Sequence, residues 1–208
     1  FAWYHDGKSA PDFYIKELET GRCIWGHEIL SVWYRKPDFP QFLLDHVDEE
    51  IDKHNMKVCI THKSFERMED DLEGLIKEHK IIDCDALGLG SCPSENRENS
   101  RRVQQFIDKA AEIGKTLKEN GMTFNYHNHA FEFFKLGDMN CTLMDMLIEK
   151  TDKDTFNFIP DVAWIHYGDN DPVEILNRMK GRVKVLHFKD YIIDENTIIN
   201  KSFKHFAN

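Results

Sequence analysis

Short β-prone runs alternate with stretches of helical periodicity along most of this 208-residue chain, and few architectures accommodate that alternation. Met56 to His62 reads as a strand, and Arg67 to Lys80 follows as a helix with Met68, Leu72, Leu75 and Ile76 at helical spacing. Cys84 to Gly90 is a short strand closed by glycines. Asn96 to Asn120 is a long helix with Val103, Phe106, Ile107, Ala110, Ile113 and Leu117 on one face and a stop at Gly121. Met122 to Asn128, Phe156 to Asp161 and Val183 to His187 read as further strands. Between them lie helices from Cys141 to Lys150 and from Asp171-Pro172 to Gly181, the latter opened by an N-cap and a proline at the first helical position. Upstream, His27 to Trp33 reads as a strand, Pro40 to Asn55 as a helix and Asp12 to Glu19 as a first helix.

Repeated strand–helix units imply parallel strands with right-handed crossovers. A doubly wound sheet would carry a glycine-rich phosphate turn, and Gly88-Leu89-Gly90 lacks the third glycine of that pattern. The expected fold is therefore α/β, a (β/α)8 barrel forming one domain over residues 1–208. Such a barrel takes about 250 residues. The chain is thus expected to lack most of the first strand, of which Phe1-Ala2-Trp3 would be the tail, and the last strand–helix unit.

Composition narrows the partners. The net charge of −10 argues against a nucleic-acid backbone binder. No apolar run reaches the roughly 20 residues of a membrane span. The five cysteines include no CxxC pair, so buried thiols in a reducing, cytoplasmic setting are expected. The chain begins at Phe1 without Met, which leaves a leader unread.

The chemistry concentrates in three strand ends. They are Phe124-Asn125-Tyr126-His127-Asn128-His129-Ala130-Phe131-Glu132-Phe133, Pro160-Asp161-Val162-Ala163-Trp164 and Leu186-His187-Phe188-Lys189-Asp190. Active sites of parallel barrels sit at the C-terminal ends of the strands. Glu132, Asp161 and His187 together would hold one divalent ion, Mn²⁺ foremost, with Mg²⁺, Co²⁺ or Zn²⁺ as alternatives. Singly, each has a plainer reading: Asp161 as a turn cap, His187 as a core imidazole, Glu132 as a loop residue. His127 and His129 share a side of an extended strand and could touch substrate hydroxyls or carry protons. His62, at an earlier strand end, and Lys189 are further candidates for substrate contact. Asp190 could support the site by hydrogen bonding, or pair with Lys189 at the surface. The aromatic stretches Trp3-Tyr4, Trp25 and Trp33-Tyr34 would line a pocket or pack in the core. Arg97, Arg101 and Arg102 read as a solvated face.

On these motifs, together with Asp171-Pro172-Val173-Glu174 and Gly181-Arg182, the chain resembles the sugar phosphate isomerase/epimerase family. These are xylose isomerase-like TIM barrels related to tagatose 3-epimerase and inosose dehydratase. The resemblance runs from about Pro40 to Tyr191. It implies a metal-dependent isomerase or epimerase of a small sugar or polyol, moving protons through a metal-bound cis-enediolate. Glu132 would be ligand and acid/base, Asp161 and His187 ligands, His129 a catalytic partner, and His62, His127, Trp164 and Lys189 substrate contacts. A keto-polyol (inosose-type) dehydratase on the same site, or a non-catalytic carbohydrate-binding barrel, are the alternatives. The family's second glutamate belongs to an eighth strand, so a fourth ligand would be expected beyond Asn208. The resemblance leaves a homo-oligomer open. The related endonuclease IV type adds a histidine three residues after the metal aspartate, where this chain has Trp164.

Overall fold

A computed structural model of the chain describes residues 57–135, 138 and 140–189, with four strands nearer the N-terminus. Three of those strands, β1 (Ala2–His5), β2 (Phe13–Lys16) and β3 (Cys23–Trp25), form an antiparallel sheet in the order β1-β2-β3. The helix expected over Asp12 to Glu19 is thus a strand. Phe13, Tyr14 and Ile15 are aromatic or β-branched, and pairing of Ile15 with Trp3 and Ile24 favours the extended chain. The stretch Phe1-Ala2-Trp3 likewise does not begin the parallel sheet, because Ala2 to His5 pairs antiparallel with β2. The helix expected over Pro40 to Asn55 lies outside the described residues.

The second sheet is parallel, in the order β4 (Val32–Tyr34), β5 (Val58–Lys63), β6 (Ala86–Leu89), β7 (Thr123–His127) and β8 (Asn157–Ile159). Residues 183–187 run beside β8 and touch it through two parallel bridges, Phe158 with Val183 and Asp161 with His187. Sequential neighbours, all parallel, with helices between β5 and β6, β6 and β7, and β7 and β8, are the topology that the alternation implies.

The helices are punctuated by side-chain caps. Ser64 caps α1 (Phe65–Asp70), and Asp71 caps α2 (Leu72–Ile81) by accepting from the Gly74 N–H at 3.0 Å. That cap splits what the periodicity presents as one helix. Asn99 caps α3 (Ser100–Glu119), preceded by a 3-10 turn at Ser94–Arg97. Gly121, at φ +75°, supplies the left-handed turn that ends it. Thr142 and Asp145 form a reciprocal capping box at α4 (Leu143–Lys150). Asp161 caps α5 (Val162–Tyr167), a short helix with no expectation behind it. Asp171 with Pro172 opens α6 (Pro172–Arg178), as expected.

Alternation divides each strand between two environments. On β7, Phe124 and Tyr126 join the helix-facing core with Phe65, Phe106, Leu117, Phe156 and Phe158. Asn125 and His127, also buried, occupy the alternate positions. Ile60, Ala86 and Ile159 form a second, smaller cluster. Burying the large aliphatic and aromatic side chains of α3 contributes roughly 1.5–3 kcal/mol each.

Arg182 ties this frame together away from the site. Its guanidinium donates to the carbonyls of Phe156 and Ile148, both at 3.0 Å, and to Thr151 Oγ1, and it lies 4.6 Å from the Phe158 ring centre. Arg182→Ala strands these acceptors around a void. It should cost about 2–4 kcal/mol, read as a lowered urea midpoint with an unchanged m-value.

Candidate metal centre and active site

Three buried or half-buried groups converge just beyond β7 and β8. His127 is the last residue of β7. Asp161 follows β8 by two residues and is joined to His187 by the parallel bridge. The His187 N–H donates to the Pro160 carbonyl at 2.9 Å. Asn128 holds the other side of Asp161: its Oδ1 accepts the Asp161 N–H at 2.9 Å, and its Nδ2 approaches the Asp161 carbonyl at 3.4 Å. Two backbone registers therefore deliver one carboxylate to two imidazoles.

The ligand atoms form a compact triangle. His127 Nε2 stands 3.3 Å from Asp161 Oδ2 and 3.0 Å from His187 Nδ1, and His187 Nδ1 stands 2.9 Å from Asp161 Oδ2. Bonds of about 2.1 Å to a shared ion imply ligand separations of ~3.0 Å at octahedral and ~3.4 Å at tetrahedral angles. The proton inventory points the same way. His127 Nδ1 lies 3.1 Å from the Gly90 carbonyl, which can only accept, so Nδ1 carries the proton and Nε2 presents its lone pair. That lone pair faces a carboxylate oxygen, a contact that is repulsive unless a cation lies between them. Burial pushes His127 below the usual histidine range, against the pull of Asp161, and so keeps it neutral. Burial also opposes ionisation of Asp161, but the His187 imidazole against Oδ2 and the Trp164 N–H donated to Oδ1 hold its carboxyl well below the usual carboxylate range. A neutral imidazole and an ionised carboxylate are the forms that bind metal. The residues present fit a divalent ion.

Asp161 serves two purposes at once. Its Oδ1 accepts the Trp164 N–H at 3.1 Å as the cap of α5, while Oδ2 faces the imidazoles. The plain reading of Asp161 as a cap and the ligand reading use different oxygens.

Glu132 stands beside the triangle rather than in it. It lies on the 3-10 turn Phe131–Phe133 and is fully buried, so the solvated-loop alternative does not hold. Oε1 accepts the Tyr126 hydroxyl at 2.7 Å, and Oε2 accepts the His129 N–H at 2.9 Å. Tyr126 in turn accepts the Cys92 N–H at 2.9 Å. Burial pushes the Glu132 carboxyl up to about 7, against these hydrogen bonds and the positive charge of Arg97.

The other candidates surround the same point. The His62 ring lies 5.4 Å from that of His127, in a slot left by Gly88, where a Cβ would come within 2.5 Å of the imidazole. The His129 ring lies 5.0 Å from His127 and 5.2 Å from Trp164, whose ring centre is 5.3 Å from Lys189 Nζ. Arg97 is not a simple solvated face, since its guanidinium lies 3.9 Å from the Phe131 ring centre. Cys84, Cys92 and Cys141 are in no disulfide, and burial pushes Cys84 up to about 11 and Cys92 up to about 12. Asp190 lies outside the described residues, as do the side chains of Trp3, Tyr4, Trp25, Trp33 and Tyr34.

Two contributors carried a weak signal. His127, expected as a substrate contact, is the last residue of β7, five positions before Glu132, and its strand-end place is the signal for its position in the triangle. The latch made by Asn128 depends on a chain segment more than thirty residues away, and only its place between two histidines marked it.

A family profile described as xylose isomerase-like TIM barrel matches residues 27–206. The chain belongs to that family. Inosose dehydratase of Halalkalibacterium halodurans is 24% identical over 163 residues, covering 69% of this chain and 52% of that protein. Inosose dehydratase of Clostridium beijerinckii is 23% identical over 167 residues, covering 80% of this chain and 52% of its own length. The chain therefore spans about half the length of these curated relatives. Among solved structures, a sugar phosphate isomerase/epimerase of Parabacteroides distasonis superposes with a TM-score of 0.67 at 19% identity, covering 84% of this chain and 72% of that one. Among the described residues, no helix is long and apolar enough to cross a membrane.

The raised Glu132 has a stability consequence. The folded chain holds its proton more tightly than the unfolded one, so the contribution is present below about 4.5 and lost as pH rises through about 7. In metal-free protein, the wild type should lose about 3 kcal/mol relative to Glu132→Gln between pH 4.5 and pH 8, measured by urea denaturation at each pH.

Proposed function

We propose that this chain carries the metal centre and the acid/base carboxyl of a sugar or polyol isomerase or epimerase. The observation that carries the reading is a ligand triangle at two strand ends, with a buried carboxyl poised near neutrality beside it. His127, Asp161 and His187 would hold one divalent ion. Two imidazoles turn preference from Mg²⁺ toward Mn²⁺, Co²⁺ or Zn²⁺. When bound, such an ion polarises a carbonyl and its neighbouring hydroxyl, which acidifies the C–H between them.

The chain's own residues do the rest. Glu132 removes the acidified proton and returns it, with Tyr126 and the His129 N–H fixing the orientation of its carboxylate. His62 and His129 border the triangle and are placed to contact substrate hydroxyls. Trp164 offers an apolar face to the sugar carbons. Gly90 keeps His127 in the tautomer that leaves Nε2 for the ion.

The curated relatives favour a second reading, dehydration of a keto-polyol. It begins with the same proton removal and then expels a β-hydroxyl. Incubation of candidate ketoses in D₂O separates the two. Exchange at the carbon beside the carbonyl without water loss marks an isomerase or epimerase, and water loss marks a dehydratase. Elemental analysis should find about one divalent ion per chain, lost in Asp161→Ala; a wild-type chain that takes up no Mn²⁺, Co²⁺ or Zn²⁺ would refute the metal centre. With Glu132 as base, kcat/KM should rise with pH as its carboxyl ionises, at a pH below the value of about 7 held in metal-free protein, because a neighbouring cation favours the carboxylate. Tyr126→Phe should move that rise upward, because a hydrogen bond favouring the ionised carboxylate is gone.

A further inference from the structure

The main chain parts company with the sheet just where the site is built. β7 and β8 pair in the register Tyr126 with Phe158 and His127 with Ile159, and both strands then end. Continued in that register, residue 129 would stand opposite Asp161. Instead the chain after His127 leaves the sheet and enters the 3-10 turn Phe131–Phe133, which carries Glu132. Asp161 is fully buried, so its backbone N–H must find an acceptor inside the protein. The Asn128 side chain supplies it: Oδ1 accepts that N–H at 2.9 Å. Asn128 Nδ2 lies 3.4 Å from the carbonyl oxygens of both Asp161 and His129. The side chain is itself 1% exposed.

A carboxamide has the donors and the acceptor of a peptide group on one planar unit. At Asn128 it replaces the peptide pairing that β7 gives up. The replacement lets one segment do two things. The main chain is released to carry Glu132, while Asp161 stays level with His127. The tolerance is narrow, because metal–ligand distances are fixed to within about 0.2 Å. Asp161 Oδ2 already stands 3.3 Å from His127 Nε2 and 2.9 Å from His187 Nδ1. The His187 side of Asp161 is held by main-chain pairing, and the His127 side by this one amide.

We propose that Asn128 is the positioning residue of the metal centre: its amide stands in for strand pairing after His127 and sets how closely the three ligand atoms converge on a divalent ion. The inference rests on the reading of His127, Asp161 and His187 as that centre.

The test compares wild type with Asn128→Ala, which removes the amide, and Asn128→Leu, which keeps its bulk without polar atoms. Mn²⁺ and Co²⁺ affinities are measured by calorimetry, and the visible spectrum of bound Co²⁺ reports ligand geometry. Hydrogen exchange of the Asp161 amide is followed in metal-free protein. Asp71→Ala, which removes the α2 cap, is the variant weakened away from the site. Both Asn128 variants should bind the ions roughly 10–100-fold more weakly, the range for partners that orient metal ligands, with an altered Co²⁺ spectrum and faster exchange at Asp161. Asp71→Ala should keep the affinity and spectrum of wild type. Unchanged affinity and spectrum in the Asn128 variants would overturn the proposal. Recovery in Asn128→Leu would assign the loss to a void, and an equal loss in Asp71→Ala would assign it to general loosening; either overturns it. A wild type that takes up neither ion while protecting the Asp161 amide would instead refute the metal-centre reading, and with it the proposal in this form.

Discussion

The Asp161 carboxylate is the interaction on which the site depends. One oxygen closes the first turn of α5, the other faces His127 and His187, and the backbone between them is held by Asn128 and by the bridge to His187. A negative charge this buried is tolerable only because every direction around it supplies a donor or an imidazole. The Trp164 N–H and the His187 imidazole keep it ionised, the form in which a carboxylate can hold a metal ion. Moving Asp161 by one residue would lose the cap, the bridge and the triangle together.

The two faces of β7 explain how a sheet this short serves both stability and chemistry. Phe124 and Tyr126 belong to the core beneath the helices, while Asn125 and His127 take the alternate positions. Tyr126 belongs to both worlds. Its ring packs among Phe106 and Phe156, and its hydroxyl links Cys92 in the loop after β6 to Glu132 in the loop after β7. Glu132 is thereby anchored to the rigid core although it lies on a loop. A carboxyl with so few donors and so little water stays half protonated near neutrality, which is the condition for passing a proton in both directions.

Much of the parallel sheet was legible because its signal is local. The apolar faces of α2, α3 and α4, the caps at Asp171-Pro172 and the stop at Gly121 follow from periodicity and backbone preference alone. The misreading of Phe13 to Lys16 came from a segment too short for periodicity to discriminate, where strand pairing decided the outcome. The single helix expected from Arg67 to Lys80 failed for a related reason: Asp71 can extend a helix or cap one, and its side chain caps α2.

Sequence alone determined the fold class, the order of the parallel strands and the short list of residues able to bind a metal or carry a proton, since all of these depend on residue type and spacing along one segment. Tertiary structure decided which residues on that list meet. His127 joins Asp161 and His187 because the register of β7 against β8, and the bridge beyond it, bring three chain segments to one point. Glu132 stands aside because Tyr126 and the His129 N–H hold its oxygens. Its titration near neutrality arises from burial, and burial is a property of the packed molecule that no single segment carries.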